Sequence, residues 1–357
     1  MSGLTVQPES PRSLRPGPAQ PQPAQPQPQP AQPQPAQPQP AQPLRPIPIV
    51  LDCDPGHDDA IALLLAVQSP GIDLRAVTTT FGNCSVEDAT RNALRILTLA
   101  GATTVPVAQG ASGSLAGTSE LGNYVHGASG LDGPGLPEPA FGVTQRSAVE
   151  MIEEVLAAAT EPITIVATGP ITNVAAMLQR GVADRSRIRE IVFMGGSVDR
   201  GNHTPTAEFN TFADPEALAV VLESGLPIKM VGLNLTHQAL ATPEVVARMQ
   251  AMNHHVGRVA AEWMGFFGSS YRSIWAFEAP PVHDPCTIAA LIRPDVIKWQ
   301  RCFVAVETAG EWTRGTTVVD LHDRYHRSAN VDVAMTLDVD AYWDLVLEAI
   351  DLLGKAQ

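Results

Sequence analysis

Residues 47–66 read IPIVLDCDPGHDDAIALLLA. An apolar run ends in aspartates, turns at Pro55-Gly56 and leaves through a second apolar run. Four carboxylates, Asp52, Asp54, Asp58 and Asp59, therefore fall at the junction of two segments with the composition of buried elements. Carboxylates this close repel one another, and burial disfavours their charged form further. Asp58 and Asp59 begin the second segment, read as a helix, where free backbone N–H groups and the helix dipole favour negative charge. That accounts for two of the four, and leaves Asp52 and Asp54 facing them across the turn. Four carboxylates at one loop fit a hard divalent cation with oxygen ligands, Ca²⁺ or Mg²⁺, better than zinc, which takes His or Cys.

Working outward, the same strand-then-helix alternation repeats. DLRAVTTTFGN (73–83), VPVAQG (105–110), PITIVATG (162–169), EIVFMGG (190–196) and PIKMVGLNLT (227–236) read as strands. Between them, VEDATRNALRILTLAG (86–101), SAVEMIEEVLAAAT (147–160), PITNVAAMLQRG (170–181) and DPEALAVVLESG (214–225) read as helices. Continuous apolar strands alternating with helices imply an α/β fold: a mostly parallel, Rossmann-like open sheet covered on both faces. Asp52/Asp54, Asn83, Thr168, Met194-Gly195-Gly196 and Asn234 all come at or just after strand ends. Ligands of open α/β sheets bind beyond the carboxyl ends of the strands, so these residues are expected to converge on one crevice. Residues 244–278 read as helical and carry Trp263, Phe266, Phe267, Tyr271 and Trp275; residues 296–335 suggest antiparallel strands, and 340–350 a closing helix.

The chain has 357 residues and a formal charge of −14. Residues 16–46 are a Pro/Gln repeat without large apolar side chains, expected to be extended and solvated. Two parts follow: a disordered tail over 1–45 and one domain over 46–357, whose length of about 310 residues supports a large core. The tail carries Arg12, Arg15 and Arg45 against Glu9, so the acidity belongs to the domain. An acidic body argues against nucleic acid or an anionic membrane as partner. No apolar run is long enough to span a bilayer, and no basic region with an apolar core precedes the repeat; a cytoplasmic protein is expected. Cys53, Cys84, Cys286 and Cys302 are widely spaced, the pattern of reduced thiols.

Three further stretches carry chemistry. PVHDP places Asp284 at a helix start as a candidate ligand, with His283 beside it as a candidate proton donor. GNHTPTAEFN (201–210) sets Asn202, Glu208 and Asn210 in one loop, a composition that suits several hydroxyls at once, as in a sugar, and equally a turn-rich loop. VHGASGLDG (125–133) is glycine-rich but lacks a phosphate-binding pattern; it reads as a mobile flap bearing His126.

DCDPGHDDA resembles the signature of the inosine-uridine preferring nucleoside hydrolases, and FGN, HGASGLDG, ATGPITN, MGG, GNHTPTAEFN and PVHDP follow in that family's order, over residues 47 to about 350. The resemblance implies Ca²⁺-dependent hydrolysis of the N-glycosidic bond of ribonucleosides to ribose and free base. Asp54, Asp59, Asp284 and the carbonyl of Thr168 would hold the ion, with Asp54 the general base for water. Asp58, Asn83 and Asn210 would bind the 2′- and 3′-hydroxyls, Asn202 and Glu208 the 5′-hydroxyl, and Met194 would lie along the ribose. His283 and His126 would face the base, with Phe209 and Tyr271 completing the pocket. Having both histidines with Tyr271 resembles the broad inosine-uridine type; Ala128, His203 and Phe267 stand at positions that vary among relatives, which leaves a pyrimidine-preferring enzyme open. A homodimer or homotetramer is implied as well. The DCD after a strand also resembles haloacid-dehalogenase-like phosphatases, but Pro55-Gly56 and the second aspartate pair depart from that pattern.

Overall fold

The computed structural model describes residues 2–4, 17, 45–181 and 184–356. The Pro/Gln repeat expected to be disordered lies outside the described residues apart from Gly17, Arg45 and Pro46. Among the described residues nine strands form one sheet: β1 (Ile47–Cys53), β2 (Ile72–Thr79), β3 (Val107–Gln109), β4 (Ile163–Ala167), β5 (Ile188–Met194), β6 (Ile228–Val231), β7 (Ile297–Val306), β8 (Thr317–Asp320) and β9 (Val331–Leu337). Their order is β3-β2-β1-β4-β5-β6-β9-β7-β8. The first seven in that order run parallel, and β7 and β8 add antiparallel strands at one edge. The antiparallel segment expected over 296–335 is thus β7 and β8; β9 instead pairs parallel with β6 and antiparallel with β7. Chain order reverses between β1 and β4, and that switch point opens the crevice in which doubly wound sheets bind ligands.

The decisive stretch folds as a strand, a turn and the helix His57–Gln68. That helix is buried on every side from His57 to Ala66, because the helices Pro285–Ile292 and Val339–Lys355 cover the face it turns away from the sheet. A helix apolar all round is a core helix, not an amphipathic surface one. Each large side chain it buries, such as Leu63 or Leu64 at 0% exposure, contributes on the order of 1.5–3 kcal/mol.

Alternation along β1 separates two of the four aspartates. Ile49, Leu51 and Cys53 pack into the core on one face of the sheet, and Val50 into the core on the other. With a side-chain period of two, Asp52 shares the face of Val50 and points away from the turn. Its Oδ1 accepts hydrogen bonds from Thr78 Oγ1 at 2.6 Å and Asn173 Nδ2 at 2.8 Å, while Oδ2 is buried without a partner. The expectation of four carboxylates around one cation is corrected here: Asp52 belongs to the underside of the sheet.

Burial raises the Asp52 carboxyl to about 6 against its ordinary 3.8. The folded state therefore holds this proton more tightly than the unfolded chain, and the stability it provides is complete below about pH 4 and lost as pH rises through about 6. Asp52→Asn keeps the acceptor for Thr78 and Asn173 and removes the charge. Denaturant unfolding of the metal-free protein at pH 8 is expected to show the variant more stable, by up to about 3 kcal/mol for a shift of about two units. Equal pH dependence of the two proteins between pH 4 and 7 would contradict this.

All four cysteines are buried free thiols, as their spacing suggested. Among the described residues no helix is long and apolar enough to cross a membrane.

Candidate active site

The loops after β1, β2, β4 and β5 meet over the switch point and line a cleft. At its floor, carboxylate oxygens of Asp58, Asp59 and Asp284 lie within 4.8 Å of one another, all buried. Asp58 and Asp59 arrive on the first turn of His57–Gln68, and Asp284 directly precedes the helix Pro285–Ile292. Asp58, which the resemblance assigns to the ribose, sits inside this tight group; Asp54 stands outside it.

Asn83 ties Asp54 to the cluster. Its backbone N–H donates to Asp54 Oδ2 at 2.7 Å and its Nδ2 to Asp59 Oδ2 at 3.0 Å. Asp59 Oδ2 also accepts from Gly56 N at 3.0 Å, and its Oδ1 from Thr168 Oγ1 at 2.7 Å. Two glycines let the backbone close around Asp54. A Cβ at Gly82, whose φ is +152°, would lie 2.0 Å from Asp54 Oδ2, and one at Gly169 2.5 Å from Oδ1. Only hydrogen fits at either place.

Burial pushes Asp54 and Asp284 well above the usual carboxylate range, with repulsion from neighbouring aspartates adding to it. The same causes raise Asp58 to about 7, and burial raises Asp59. Among the described residues no Lys or Arg lines the cleft, and Asp54 Oδ1 is buried without a hydrogen-bond partner. An all-oxygen donor set with uncompensated charge fits a hard divalent cation. The Thr168 carbonyl, at the end of β4, already accepts from Asn210 Nδ2 at 2.7 Å; its second lone pair is the one left for a ligand.

The wall beside the floor comes from residues 194–210. Met194, Asn202, Glu208, Phe209 and Asn210 all line the cleft. Glu208 is 2% exposed and caps the short helix Phe209–Ala213: Oε1 accepts from Asn210 N, and Oε2 from Thr211 N and Gly196 N, at 2.9–3.0 Å. Its first task is structural, and any hydroxyl it binds must use its remaining lone pairs. Asn202 Oδ1 accepts from Phe209 N at 2.9 Å, and Asn210 Nδ2 also reaches the Met194 carbonyl at 3.2 Å.

Aromatic and imidazole rings form the remaining wall. His126 lies at the end of the short helix Asn123–His126 and is 6% exposed, packed on His57 and Phe267. It lines the cleft. The glycine-rich loop beyond it is held by Asp132, whose carboxylate accepts from Ala128 N and Ser129 N. His283 Nε2 is 2.8 Å from Tyr271 OH and Nδ1 is 2.7 Å from Thr236 Oγ1. Burial holds His126 and His283 well below the usual imidazole range, so both are neutral.

Of the residues given a site role by the resemblance, all but Asp54 and Asp59 border this cleft directly, and those two adjoin its floor through Asn83 and Thr168; Asp52, Ala128, Gly195, Gly196, His203 and Asn234 do not line it. Asn234 is the second correction: β6 is short, Gly232 starts the helix Leu233–Thr236, and Asn234 Nδ2 turns to the Ala334 carbonyl at 2.8 Å. Sequence reasoning gave no site role to Tyr124, Trp275 or Thr236. Tyr124 lines the mouth and bonds His203 Nδ1 at 3.2 Å; Trp275 stands against Tyr271 with ring centroids 4.6 Å apart. The spacing of Trp275, four residues after Tyr271 on one helix face, was a legible signal. Nothing in the sequence marked Thr236.

An acidic floor at a sheet switch point, below a wall of amides and a wall of rings, is a site for a polar, ring-bearing small molecule beside a cation. Residues 49–344 match the family model of inosine-uridine preferring nucleoside hydrolases, and the chain belongs to that family. It is 47% identical over 304 residues to a pyrimidine-specific ribonucleoside hydrolase RihA of Photobacterium profundum, covering 85% of this chain and 98% of the relative. A protein of the same description from Escherichia coli O127:H6 is 44% identical over 305 residues, with the same coverage. Among solved structures, a purine-preferring ribonucleoside hydrolase from Gardnerella vaginalis superposes with a TM-score of 0.81 at 29% identity, covering 87% of this chain and all of that one. A plant nucleoside hydrolase, PpNRh1, gives 0.80 at 30% identity, covering 86% and 99%. The chain is thus a nucleoside hydrolase, an enzyme acting on N-glycosidic bonds, and the phosphatase alternative falls.

Proposed function

We propose that this enzyme hydrolyses pyrimidine ribonucleosides with Ca²⁺ bound at the aspartate floor. The observation that carries the proposal is the buried, all-oxygen acidic cluster without a basic counterpart, set beneath a cleft lined by rings. Asp54, Asp59, Asp284 and the Thr168 carbonyl would hold the ion, with Asp58 close enough to share it or to take a ribose hydroxyl. Bound there, Ca²⁺ would supply Lewis-acid polarisation.

The remaining roles belong to the chain. Cleaving the bond leaves an oxocarbenium-like ribose, and the surrounding carboxylates stabilise that positive charge. Asp54 Oδ1, unpartnered at rest, takes the proton of the attacking water. Asn83, Asn210, Asn202 and Glu208 grip the hydroxyls with Met194 along the sugar, so binding energy goes into positioning the bond. The electron pair of the broken bond passes to the base, where Tyr271, His283 and His126 face it and Phe209 borders it.

Pyrimidine preference is supported by the two RihA relatives, which are described as pyrimidine-specific. Purified protein incubated with uridine, cytidine and inosine is expected to release ribose from the first two at least tenfold faster; each tenfold in kcat/KM is only about 1.4 kcal/mol. Equal rates on inosine would return the broad inosine-uridine reading, and release of phosphate from a generic ester without ribose would end both. The proposal includes a cytoplasmic setting and a homodimer or homotetramer.

A further inference from the structure

The carboxylate of Glu208 is held from two sides. Asn210 N and Thr211 N come from its own helix, Phe209–Ala213, and donate at 2.9 and 3.0 Å. These two contacts orient the group relative to that helix and to nothing else. The third donor, Gly196 N at 2.9 Å, belongs to the turn after β5, so it alone of the three ties the carboxylate to the sheet. Oε2 takes both Gly196 N and Thr211 N, and Oε1 takes Asn210 N, which leaves Oε1 as the oxygen with room for a ligand hydroxyl.

The turn itself is held from the far edge of the sheet. Ser197, directly after Gly196, is 5% exposed, and its backbone N–H and carbonyl lie beyond the end of β5, where buried polar groups need partners outside the strand ladder. The Thr317 hydroxyl meets both: it accepts from Ser197 N at 2.9 Å and donates to Ser197 O at 2.6 Å. The Ser197 hydroxyl is engaged elsewhere, with Asp199 and with Arg200 N. Thr317 begins β8, is itself buried, and packs so closely that a Cβ on Gly196, whose φ is +66°, would lie 2.6 Å from its methyl carbon. The same β7–β8 hairpin reaches the other side of Glu208, where Thr211 Oγ1 donates to Gly315 O at 2.8 Å and Arg314 forks onto Glu216 at 2.6 and 2.7 Å.

We propose that Thr317 is a positioning residue for the amide wall of the cleft: by clamping both backbone groups of Ser197 it aims Gly196 N–H at Glu208, and so fixes the carboxylate oxygen that receives the ribose 5′-hydroxyl. Thr317 does not line the cleft; it acts through Ser197 and Gly196. Without the clamp Glu208 keeps its two local donors and turns with its own helix. Preference for a 5′-hydroxyl then falls, while the aspartate floor and the ring wall, built from other elements, stay in place. This rests on the proposed placement of the 5′-hydroxyl at Glu208.

The test compares uridine with 5′-deoxyuridine on the full chain. Thr317→Val keeps the shape but can neither donate nor accept. It is expected to raise KM for uridine and lower kcat/KM roughly tenfold, the size of one lost hydrogen bond to a charged group, with far less change on 5′-deoxyuridine. Thr317→Ser keeps the hydroxyl and should restore the preference. A merely structural role lowers both substrates alike, so equal losses, or a serine variant that behaves as the valine one does, would overturn the assignment. Amide hydrogen exchange read residue by residue needs no turnover. The Gly196 and Ser197 amides should exchange slowly in the wild type and at least about tenfold faster in Thr317→Val, with the β1 and β4 amides unchanged. Fast wild-type exchange at both positions, or unchanged exchange in the valine variant, would overturn the clamp. Equal wild-type rates on the two substrates with slow Gly196 and Ser197 amides would overturn the 5′-hydroxyl placement and the specificity role with it, leaving the clamp as a purely structural device. The wild-type exchange requires no variant, so the clamp is decided even if Thr317→Val fails to fold.

Discussion

Asp54→Asn is expected to lower kcat by two to four orders of magnitude, the usual contribution of a positioned general base, while the protein keeps its fold. The structure gives the reason for both halves. Asp54 is 1% exposed, Oδ2 is engaged by Asn83 N, and Oδ1 is buried without a partner. Gly82 and Gly169 leave room for no alternative rotamer of a larger group. Asparagine preserves the shape and the acceptor for Asn83, and loses the base together with one charged ligand of the proposed cation. Removing one of several buried like charges also relieves repulsion, so the unfolding midpoint should stay level or rise. A site that lowers stability in exchange for reactivity behaves this way. A variant that binds metal as the parent does and retains kcat within tenfold would refute the role of Asp54.

Chelation is expected to cost nearly as much. Metal-ion stabilisation of developing charge is worth several kcal/mol, so turnover should fall on the order of a hundred- to a thousandfold and return on adding Ca²⁺. Elemental analysis of the purified enzyme should find about one ion per chain. The cation should also stabilise the fold, by about 2.7 kcal/mol when present at a hundred times its dissociation constant. That gain has a pH signature. Burial and mutual repulsion hold Asp54, Asp58 and Asp284 above the ordinary carboxylate range, so the metal-free protein favours their protonated forms. The stability they provide is complete below about pH 4 and lost as pH rises, for Asp58 through about 7. Binding requires the deprotonated forms, so the ion should raise the midpoint more at pH 8 than at pH 5. Equal turnover in chelated and reloaded samples would remove the metal from the mechanism.

The parallel sheet, its covering helices and the gathering of polar residues at strand ends were legible because each signal is local: an apolar run, a helix period, an acid at a helix start. Register was legible in principle too, yet Asp52 was misplaced, because a cluster in sequence outweighed the two-residue alternation that sends Asp52 to Thr78 and Asn173. Asn234 failed for another reason. β6 ends at Val231, before the apolar run does, and the helix Leu233–Thr236 takes over the remainder. His126 lines the cleft at the end of the short helix Asn123–His126, and a glycine-rich composition says nothing of the Asp132 carboxylate that accepts from the loop beyond it.

The α/β class, the acidic turn after the first strand and the family could all be read from the linear chain, because each depends on residues near one another along it. Which three carboxylates share a floor could not, because Asp284 reaches Asp58 and Asp59 only once distant helices pack. Folding also brings Thr236, His283 and Tyr271 into one hydrogen-bonded chain, since residues from three distant helices and loops meet only when the core packs.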